Sequence, residues 1–437
     1  MSSYPKSMQF AVSRLAGYSK NGVKLRPMSQ STAVAGDVVV FELPTNTIVD
    51  LRTLSVLASG TTGEGFTGTV PTVPAAGRGV FFPKHVESIL DSIQVEINGS
   101  LIDSGFLGYN QLNKLYMDYF CGIDKNSTLR SLMQKGDLTI PTATNLAGNT
   151  DTAPISAGAV QDGRDLNSVL CFNSFLGFLS CKCPVIDTSI LGQVRVLIRL
   201  APNNVLLAKT ATAPVYSLSN IFAMIDVLSV NDGFYYDMVQ QRLAEAPIEV
   251  MFDRYYVFQN GVGSGGQTTR WAVATQSLDW VVGMLQPNTS RTTPTAINTT
   301  TLTSESFTRT GANIDDSVFY FNNIQYPNYV PRNDDGTILT ETLQNLNVLA
   351  DLVGGGDSGL RTYATWRNNF WCHVHRFNHI LDAGDDNRLI SGLNTLGANA
   401  QGVWQTTGSA TNVWPTLYCK TTATLAIGQG RMLELRV

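Results

Sequence analysis

The stretch Gln193-Val194-Arg195-Val196-Leu197-Ile198-Arg199-Leu200, which follows Ser189-Ile190-Leu191-Gly192, indicates the fold class of this chain. Apolar side chains recur at every second position, the pattern of a strand that buries one face. A similar order of segments returns near the end of the chain, where Asn394-Thr395-Leu396-Gly397 precedes Gly402-Val403-Trp404. Identity between the two passages is low, but their shared order predicts that one β-rich unit is duplicated. Such repetition is typical of an architectural protein rather than of an enzyme.

The composition favours a folded protein with an unusually uncharged surface. The 437 residues are enough for two or three domains with buried cores. Charged residues make up 15% of the chain, whereas about 25% is usual for soluble proteins. Copies of such a protein repel one another weakly, so we expect much of its surface to contact neighbours. The net charge of −4 gives no reason to expect general nucleic-acid binding.

The positive charges are concentrated at the start of the chain. Residues 1–36 contain five basic residues and no acidic one, namely Lys6, Arg14, Lys20, Lys24 and Arg26. A basic arm of this kind binds nucleic acid, an anionic membrane or an acidic partner. A solvated tail, or one packed against a partner, is the alternative interpretation.

The first residues and the cysteines predict where the protein is made. Met1-Ser2-Ser3-Tyr4-Pro5-Lys6 does not open a signal peptide, and no run of 18 apolar residues could span a membrane. Six cysteines are too few for a disulfide framework in a chain of this length. We therefore expect a protein that is assembled inside a reducing cell and is not secreted through a signal peptide.

Strand patterns dominate the rest of the chain. Asn98-Gly99 follows one alternating segment and predicts a two-residue hairpin turn. Helical periodicity occurs in only three segments, at 109–120, 232–244 and 339–350. In the second half, five segments have the pattern of strands: 249–258, 270–285, 317–321, 370–374 and 433–437. Many strands with few helices indicate paired sandwiches or barrels, and periodicity does not distinguish a jelly roll from another Greek-key sandwich.

These patterns divide the chain into four parts. We predict a basic N-terminal arm at 1–36, a first β-unit at 37–230, a helical connector at 231–247 and a second β-unit at 248–437.

Three passages resemble a known family. The first is Phe82-Pro83-Lys84-His85-Val86-Glu87-Ser88-Ile89-Leu90-Asp91-Ser92-Ile93, which continues to Asn98-Gly99 and is followed by Tyr109-Asn110-Gln111-Leu112-Asn113-Lys114-Leu115. The second is the strand at 39–44 with its continuation at 46–54, and the third spans 388–397. Together they resemble the major capsid proteins of virophages and Polinton-like viruses. Those proteins are part of the double jelly-roll lineage that also includes tectiviruses and adenoviruses.

The resemblance implies an all-β fold of two tandem eight-stranded jelly rolls, a double jelly roll, with a few short helices. It implies a structural role in the virion: three chains form a pseudo-hexagonal homotrimer, and these capsomers tile an icosahedral shell. The partners would be neighbouring capsomers, penton and minor capsid proteins, and an internal membrane or the genome, reached through the basic arm. No catalysis, cofactor or small-molecule substrate is expected.

One cluster of histidines offers a different interpretation. His373 and His375 lie two residues apart, so on a strand both side chains point to the same face, and His379 follows. Cupin enzymes hold a metal with such a pair, an acid and a later histidine. Here His379 occupies the position of the acid and no histidine follows it. A three-histidine metal site in a cupin-like metalloprotein is therefore a weak candidate, and we expect partly exposed strand histidines instead.

Aromatic residues provide the second alternative. Tyr235-Tyr236, Tyr255-Tyr256, Trp366 and Phe370-Trp371 are expected to pack in the core or between the two units. If they lay on the surface, they would instead indicate a receptor- or carbohydrate-binding β-sandwich protein of a virion.

Overall fold

The computed structural model describes thirteen stretches of the chain. These are residues 18–72, 79–82, 86–120, 168–181, 183–209, 213–230, 233–288, 295–296, 307–346, 363–378, 391–397, 401–408 and 412–437. Statements about structure below concern these residues.

The strands that build the framework form two series, which we call the first and the second module. The strands of the first module are β1 Tyr18–Leu25, β2 Val38–Glu42, β3 Ile48–Glu64, β4 Leu90–Ile97, β5 Ser100–Asp103, β6 Ser168–Phe172, β7 Val194–Leu200 and β8 Pro214–Val230. Those of the second module are β9 Ile248–Gln259, β10 Thr268–Trp271, β11 Leu278–Pro287, β12 Ile314–Phe321, β13 Ile324–Tyr326, β14 His373–Arg376, β15 Gly402–Gly408 and β16 Val413–Gly428.

Helices and short strands connect this framework. The α-helices are α1 Tyr109–Phe120, α2 Thr188–Leu191, α3 Gly233–Glu245, α4 Thr337–Asn345 and α5 Tyr363–Asn369. Single 3-10 turns are found at Val86–Ile89, Gly177–Ser180, Asn203–Val205 and Gln429–Arg431. The remaining short strands are Ala33–Val34, Phe66–Thr67, Val70–Pro71, Gly79–Phe81, Val185–Asp187, Leu207–Lys209, Thr295–Ala296 and Met432–Arg436.

The two modules share one topology. In the first, the hydrogen-bonded orders are β1-β8-β3-β6 and β2-β7-β4-β5. In the second, they are β9-β16-β11-β14 and β10-β15-β12-β13, so that each strand number is raised by eight. This strand order, in which the first strand lies beside the eighth, is that of an eight-stranded jelly roll. The predicted duplication and the predicted all-β fold are therefore confirmed.

Strand β7 shows how the sequence pattern sets the register. Val196 and Ile198 are buried, while Leu197 lies between Val40 on β2 and Gln94 on β4. The neighbouring hairpin turns at Asn98 and Gly99, whose φ angles of 51° and 78° are both positive. Asparagine and glycine tolerate this left-handed backbone, which two-residue hairpins require.

Two strand predictions in the second module differ from the structure. The segment 270–285 is not one strand but two, β10 and β11, because the chain crosses from one sheet to the other between them. Thr275 and Ser277 are buried at this crossing, where the Thr275 carbonyl accepts a hydrogen bond from the Thr395 amide. The strand predicted at 370–374 begins only at His373.

The described residues of the predicted arm and connector have regular structure. Of residues 1–36, the structure describes those from 18 onward, and β1 pairs along its whole length with β8 in the first sheet. Helix α3 lies between β8 and β9, within the predicted connector. The chain thus passes from the first module to the second through one helix.

Candidate assembly junction and histidine cluster

The two modules meet at a junction built by α1 and the residues just before it. Phe106 of the first module packs against Tyr255 on β9 and Tyr418 on β16, with ring centroids 5.6 and 5.9 Å apart. On α1, the Tyr116 hydroxyl lies 3.1 Å from the Tyr255 hydroxyl, and its ring packs edge-on against Trp280 of β11. The first module therefore lies on the sheet β9-β16-β11.

Polar contacts fix this junction in register. The Tyr418 hydroxyl donates a hydrogen bond of 3.1 Å to the Gly108 carbonyl, and Gln286 Nε2 donates one of 2.7 Å to Gln111 Oε1. Gly108 has a positive φ and almost touches the Tyr418 hydroxyl, so that a side chain there would collide with it. The approach of the two modules thus depends on a glycine.

A buried ion pair crosses the same junction. Arg309, which precedes β12, donates a 2.7 Å hydrogen bond through Nη2 to Asp118 Oδ2 on α1, and both side chains are buried. Lys114, one turn earlier on α1, contacts the other oxygen of the Asp118 carboxylate. Two cations therefore surround one carboxylate, and loss of Asp118 would leave the buried Arg309 guanidinium without this carboxylate.

Tyr119 is the centre of a second network at the end of α1. Its hydroxyl donates to the Phe370 carbonyl at 3.0 Å and accepts from Trp366 Nε1 at 2.7 Å. The Cys372 Sγ lies 3.2 Å from the same oxygen. Burial raises the pKa of the Tyr119 phenol and raises that of the Cys372 thiol to about 11, so both groups are neutral at physiological pH.

A lysine beneath the junction keeps its charge. The Lys420 ammonium lies 2.8 Å from the Asp253 carboxylate. Burial lowers the pKa of Lys420, but the Asp253 carboxylate outweighs this effect and raises it. The outer face of β9-β16-β11 is therefore covered by the first module and lined by aromatic side chains, and its buried Lys420 is paired with Asp253.

The aromatic predictions are confirmed at the junction and are wrong at one place. Tyr255, Trp366 and Trp371 are buried, as expected for packing residues. Tyr236, on α3, is exposed instead. Sequence reasoning did not identify Asp118 or Arg309, because the two residues lie 191 positions apart in the chain.

The two histidines of β14 share one carboxylate. His375 Nδ1 lies 2.8 Å from Glu341 Oε1 on α4, and His373 Nε2 lies 3.3 Å from Glu341 Oε2. The second nitrogen of His373 lies 2.8 Å from Ser317 Oγ, which accepts a hydrogen bond from Trp404 Nε1. The prediction that both histidines point to the same face is confirmed.

The electrostatics of this histidine cluster favour an ionised Glu341. Burial alone would raise the pKa of Glu341, but hydrogen bonds and charge interactions with His373 and His375 outweigh it and lower the pKa to about 2. His373 is fully buried, so the expectation of a partly exposed histidine is wrong for this residue, because the sandwich core extends to the start of β14. Of the two histidines, His375 is the one that is half-buried.

The cluster differs from the predicted metal site. Among the residues that the structure describes, no group of three or more His, Cys, Asp or Glu side chains is arranged to hold a metal ion. His379, the third candidate ligand, lies outside the described residues. As they stand, the contacts of His373 and His375 tie α4 to β14 and so close one end of the second module.

The basic residues predicted for the arm are only partly within the described chain. Lys6 and Arg14 lie outside it. Lys20 and Lys24 lie on β1, where the Lys20 ammonium is 2.6 Å from the Asp226 carboxylate and the Lys24 ammonium is 3.7 Å from the centroid of the Phe222 ring. Arg26 immediately follows the strand. No helix among the described residues is long and apolar enough to cross a membrane.

Comparison with known proteins identifies the fold. No family model matches the chain, and no curated protein matches it in sequence. The PBCV-1 protein VP54, in a crystal structure fitted into a reconstruction of the virophage Sputnik, aligns with a TM-score of 0.59 and 13% identity over 97% of this chain and 98% of that one. The Faustovirus major capsid protein aligns with a TM-score of 0.56 and 11% identity, over 95% of this chain and 92% of that one.

The Sputnik virophage structure aligns with a TM-score of 0.53 and 12% identity, over 100% of this chain and 93% of that one. The chain has the double jelly-roll fold of viral major capsid proteins. At such low identity the match concerns the double jelly roll itself, over nearly its whole length. The double jelly-roll fold that the resemblance implied is confirmed.

Proposed function

We propose that this protein is the major capsid protein of an icosahedral virus. In this proposal three copies form a pseudo-hexagonal homotrimer, and these capsomers tile the shell of the virion. The observation that carries the proposal is the duplicated jelly roll joined into one block, because two similar modules per chain allow three chains to present six similar sides.

The junction between the modules supports a structural role. Its aromatic packing, its buried Asp118–Arg309 pair and the Tyr418–Gly108 hydrogen bond hold the two modules in one orientation. A fixed orientation is what a tile requires, since every lateral contact in a closed shell depends on it. The low fraction of charged residues, 15%, also reduces repulsion between neighbouring copies.

Further parts of the proposal concern partners and boundaries. Penton and minor capsid proteins would contact the capsomers in the virion. Lys6 and Arg14, which precede β1 in the sequence, would face the interior and contact an internal membrane or the genome. The arm would then end before β1 at Tyr18, which is shorter than the predicted 1–36, and the first module would extend to 230, with the connector at 231–247 and the second module at 248–437.

The oligomeric state tests this function. The purified full chain is examined by mass photometry and by negative-stain electron microscopy. We expect particles with three times the mass of one chain and a hexagonal outline. A stable monomer at micromolar concentration, or a slender fibre, would contradict the proposal.

A further inference from the structure

The two modules differ in what covers the outer faces of their equivalent sheets. In the second module, Trp280 on β11 and Tyr418 on β16 face outward from the sandwich and are buried by the first module. In the first module, no described residue buries Met224 on β8 of the equivalent sheet β1-β8-β3-β6, and this side chain is 46% exposed. One of two equivalent surfaces therefore has a partner within the chain and the other has an exposed apolar strip.

Neighbouring side chains of β1, β8 and β3 form the exposed strip on this sheet. Met224 lies opposite Lys24 on β1 and opposite Ser55 on β3. Phe222, two residues earlier on β8, is half-buried beneath the Lys24 ammonium. We call this strip, with Met224 and Phe222 at its centre, the open face.

The connections that follow β5 and β13 also differ, because one covers the other module and the other is exposed. In the first module, the connection after β5 leads through Phe106 into α1 and covers the second module. Its counterpart in the second module leads from β13 towards α4. Tyr329 and Val330 in this connection are 52% and 41% exposed, and Ile324, the first residue of β13, is 58% exposed. We call residues 324–330 the docking segment.

We propose that the docking segment of one copy lies on the open face of the next copy. This contact would repeat between chains the contact that the first module makes with the second within one chain, and it rests on the proposed homotrimer. A docking segment and an open face are different surfaces, so the interface is heterologous, and in the proposed homotrimer three such contacts close into a ring. Around a pseudo-hexagonal ring, the contact within a chain then alternates with the contact between chains.

The chemistry of the two surfaces fits this occupant. Ile324 and Val330 would bury their side chains against the apolar strip of Met224 and Phe222, which removes apolar surface of both copies from water. Asp334 and Asp335, which follow the docking segment, are exposed. Lys24 and Asp226 border the strip on the open face, and the exposed Arg332 lies between the docking segment and Asp334, so both surfaces carry charges of both signs around an apolar centre.

Substitution of exposed residues tests the contact without disturbing the cores. Met224→Asp and Ile324→Asp each place a charge in the proposed interface. We expect each variant to need at least ~10-fold higher protein concentration to form the trimer, measured by mass photometry. Met432→Asp is the matched control, since this methionine is 73% exposed on another strand and lies outside both surfaces. It should assemble as the wild type does.

A disulfide test distinguishes this interface from a symmetric one. In a Cys183→Ser background, the double variant Met224→Cys, Val330→Cys should give covalently linked trimers on non-reducing gels after oxidation. Each single variant should stay monomeric on the same gels, because position 224 of one copy would face position 330 of the next. The background protein without new cysteines gives the baseline.

The outcomes separate this inference from the proposed function. If the wild type is trimeric but Met224→Asp and Ile324→Asp assemble like Met432→Asp, the trimer stands and this interface is wrong. A disulfide that joins position 224 to position 224 in the Met224→Cys single variant, identified by peptide mass spectrometry, would also overturn it, since that requires two open faces in contact. A monomeric wild type would overturn the proposed function itself.

Discussion

At the scale of single residues, Glu341 shows how a buried charge is stabilised by its partners. The carboxylate lies between two histidines on β14, and its pKa is about 2 in the folded protein, below the ordinary 4.5. A group whose pKa is lowered on folding stabilises the protein above its ordinary pKa. That stabilisation is lost as the pH falls through the folded value.

We therefore expect Glu341→Gln to lower the free energy of unfolding by on the order of 3 kcal/mol at neutral pH. The difference from the wild type should shrink between pH 4.5 and pH 2, because the wild-type carboxyl then becomes neutral as well. Urea unfolding across this range measures it. The exposed Glu249→Gln is the control, and a difference that stays constant with pH would contradict this account.

Asp118 and Arg309 give a second prediction at this scale. Asp118→Asn should destabilise the protein by about 3–5 kcal/mol, because the buried guanidinium of Arg309 loses its carboxylate. The double variant Asp118→Asn, Arg309→Met should recover part of that loss in a double-mutant cycle measured by urea unfolding.

The exposed Arg436→Met, which removes a pair with Glu249 on the surface, is the matched control. A double variant less stable than the wild type by the full sum of the two single effects would show that the two side chains do not interact.

At the scale of elements, the start of β15 illustrates how close packing selects a glycine. A Cβ atom at Gly402 would overlap the indole of Trp271, which stacks on Phe321 with ring centroids 5.6 Å apart. This tryptophan fills the space between β10 and β12, and the sheet leaves no room for a methyl group.

Gly402→Ala should therefore destabilise the protein by about 1–3 kcal/mol through overpacking. Thermal unfolding followed by circular dichroism measures the effect. Gly261→Ala is the control, because a Cβ there meets no atom within 4 Å. Equal melting temperatures for the two variants would mean that the core around Trp271 adapts without cost.

At the scale of the whole molecule, the junction makes each module depend on the other. Tyr255, Trp280 and Tyr418 are buried, and each contacts α1 or the residues just before it. Exposed together, they would form a continuous aromatic surface, which favours aggregation.

Residues 248–437 expressed alone should therefore be poorly soluble and should bind a hydrophobic dye strongly. Co-expression with residues 1–247 should restore solubility and lower the dye signal. The variant fragment Tyr418→Ser, Trp280→Ser should be more soluble than the parent fragment if this surface is the cause. A parent fragment that is soluble and binds no dye would contradict the role of the junction.

The sequence by itself determined the class of fold, the duplication and many local elements. The alternation along β7, the Asn98-Gly99 turn and the helix at 109–120 depend on neighbours in sequence, so periodicity and turn preference were sufficient. The break between β10 and β11 was missed, because a crossing between sheets leaves apolar residues on both sides of it.

Only the tertiary structure decided which side chains meet. Glu341 reaches His373 and His375, and Asp118 reaches Arg309, across long separations in sequence. The pattern of one strand or helix shows that a face is buried but not what buries it. In this protein that partner is set by the packing of one module on the other, which depends on the complete shapes of both.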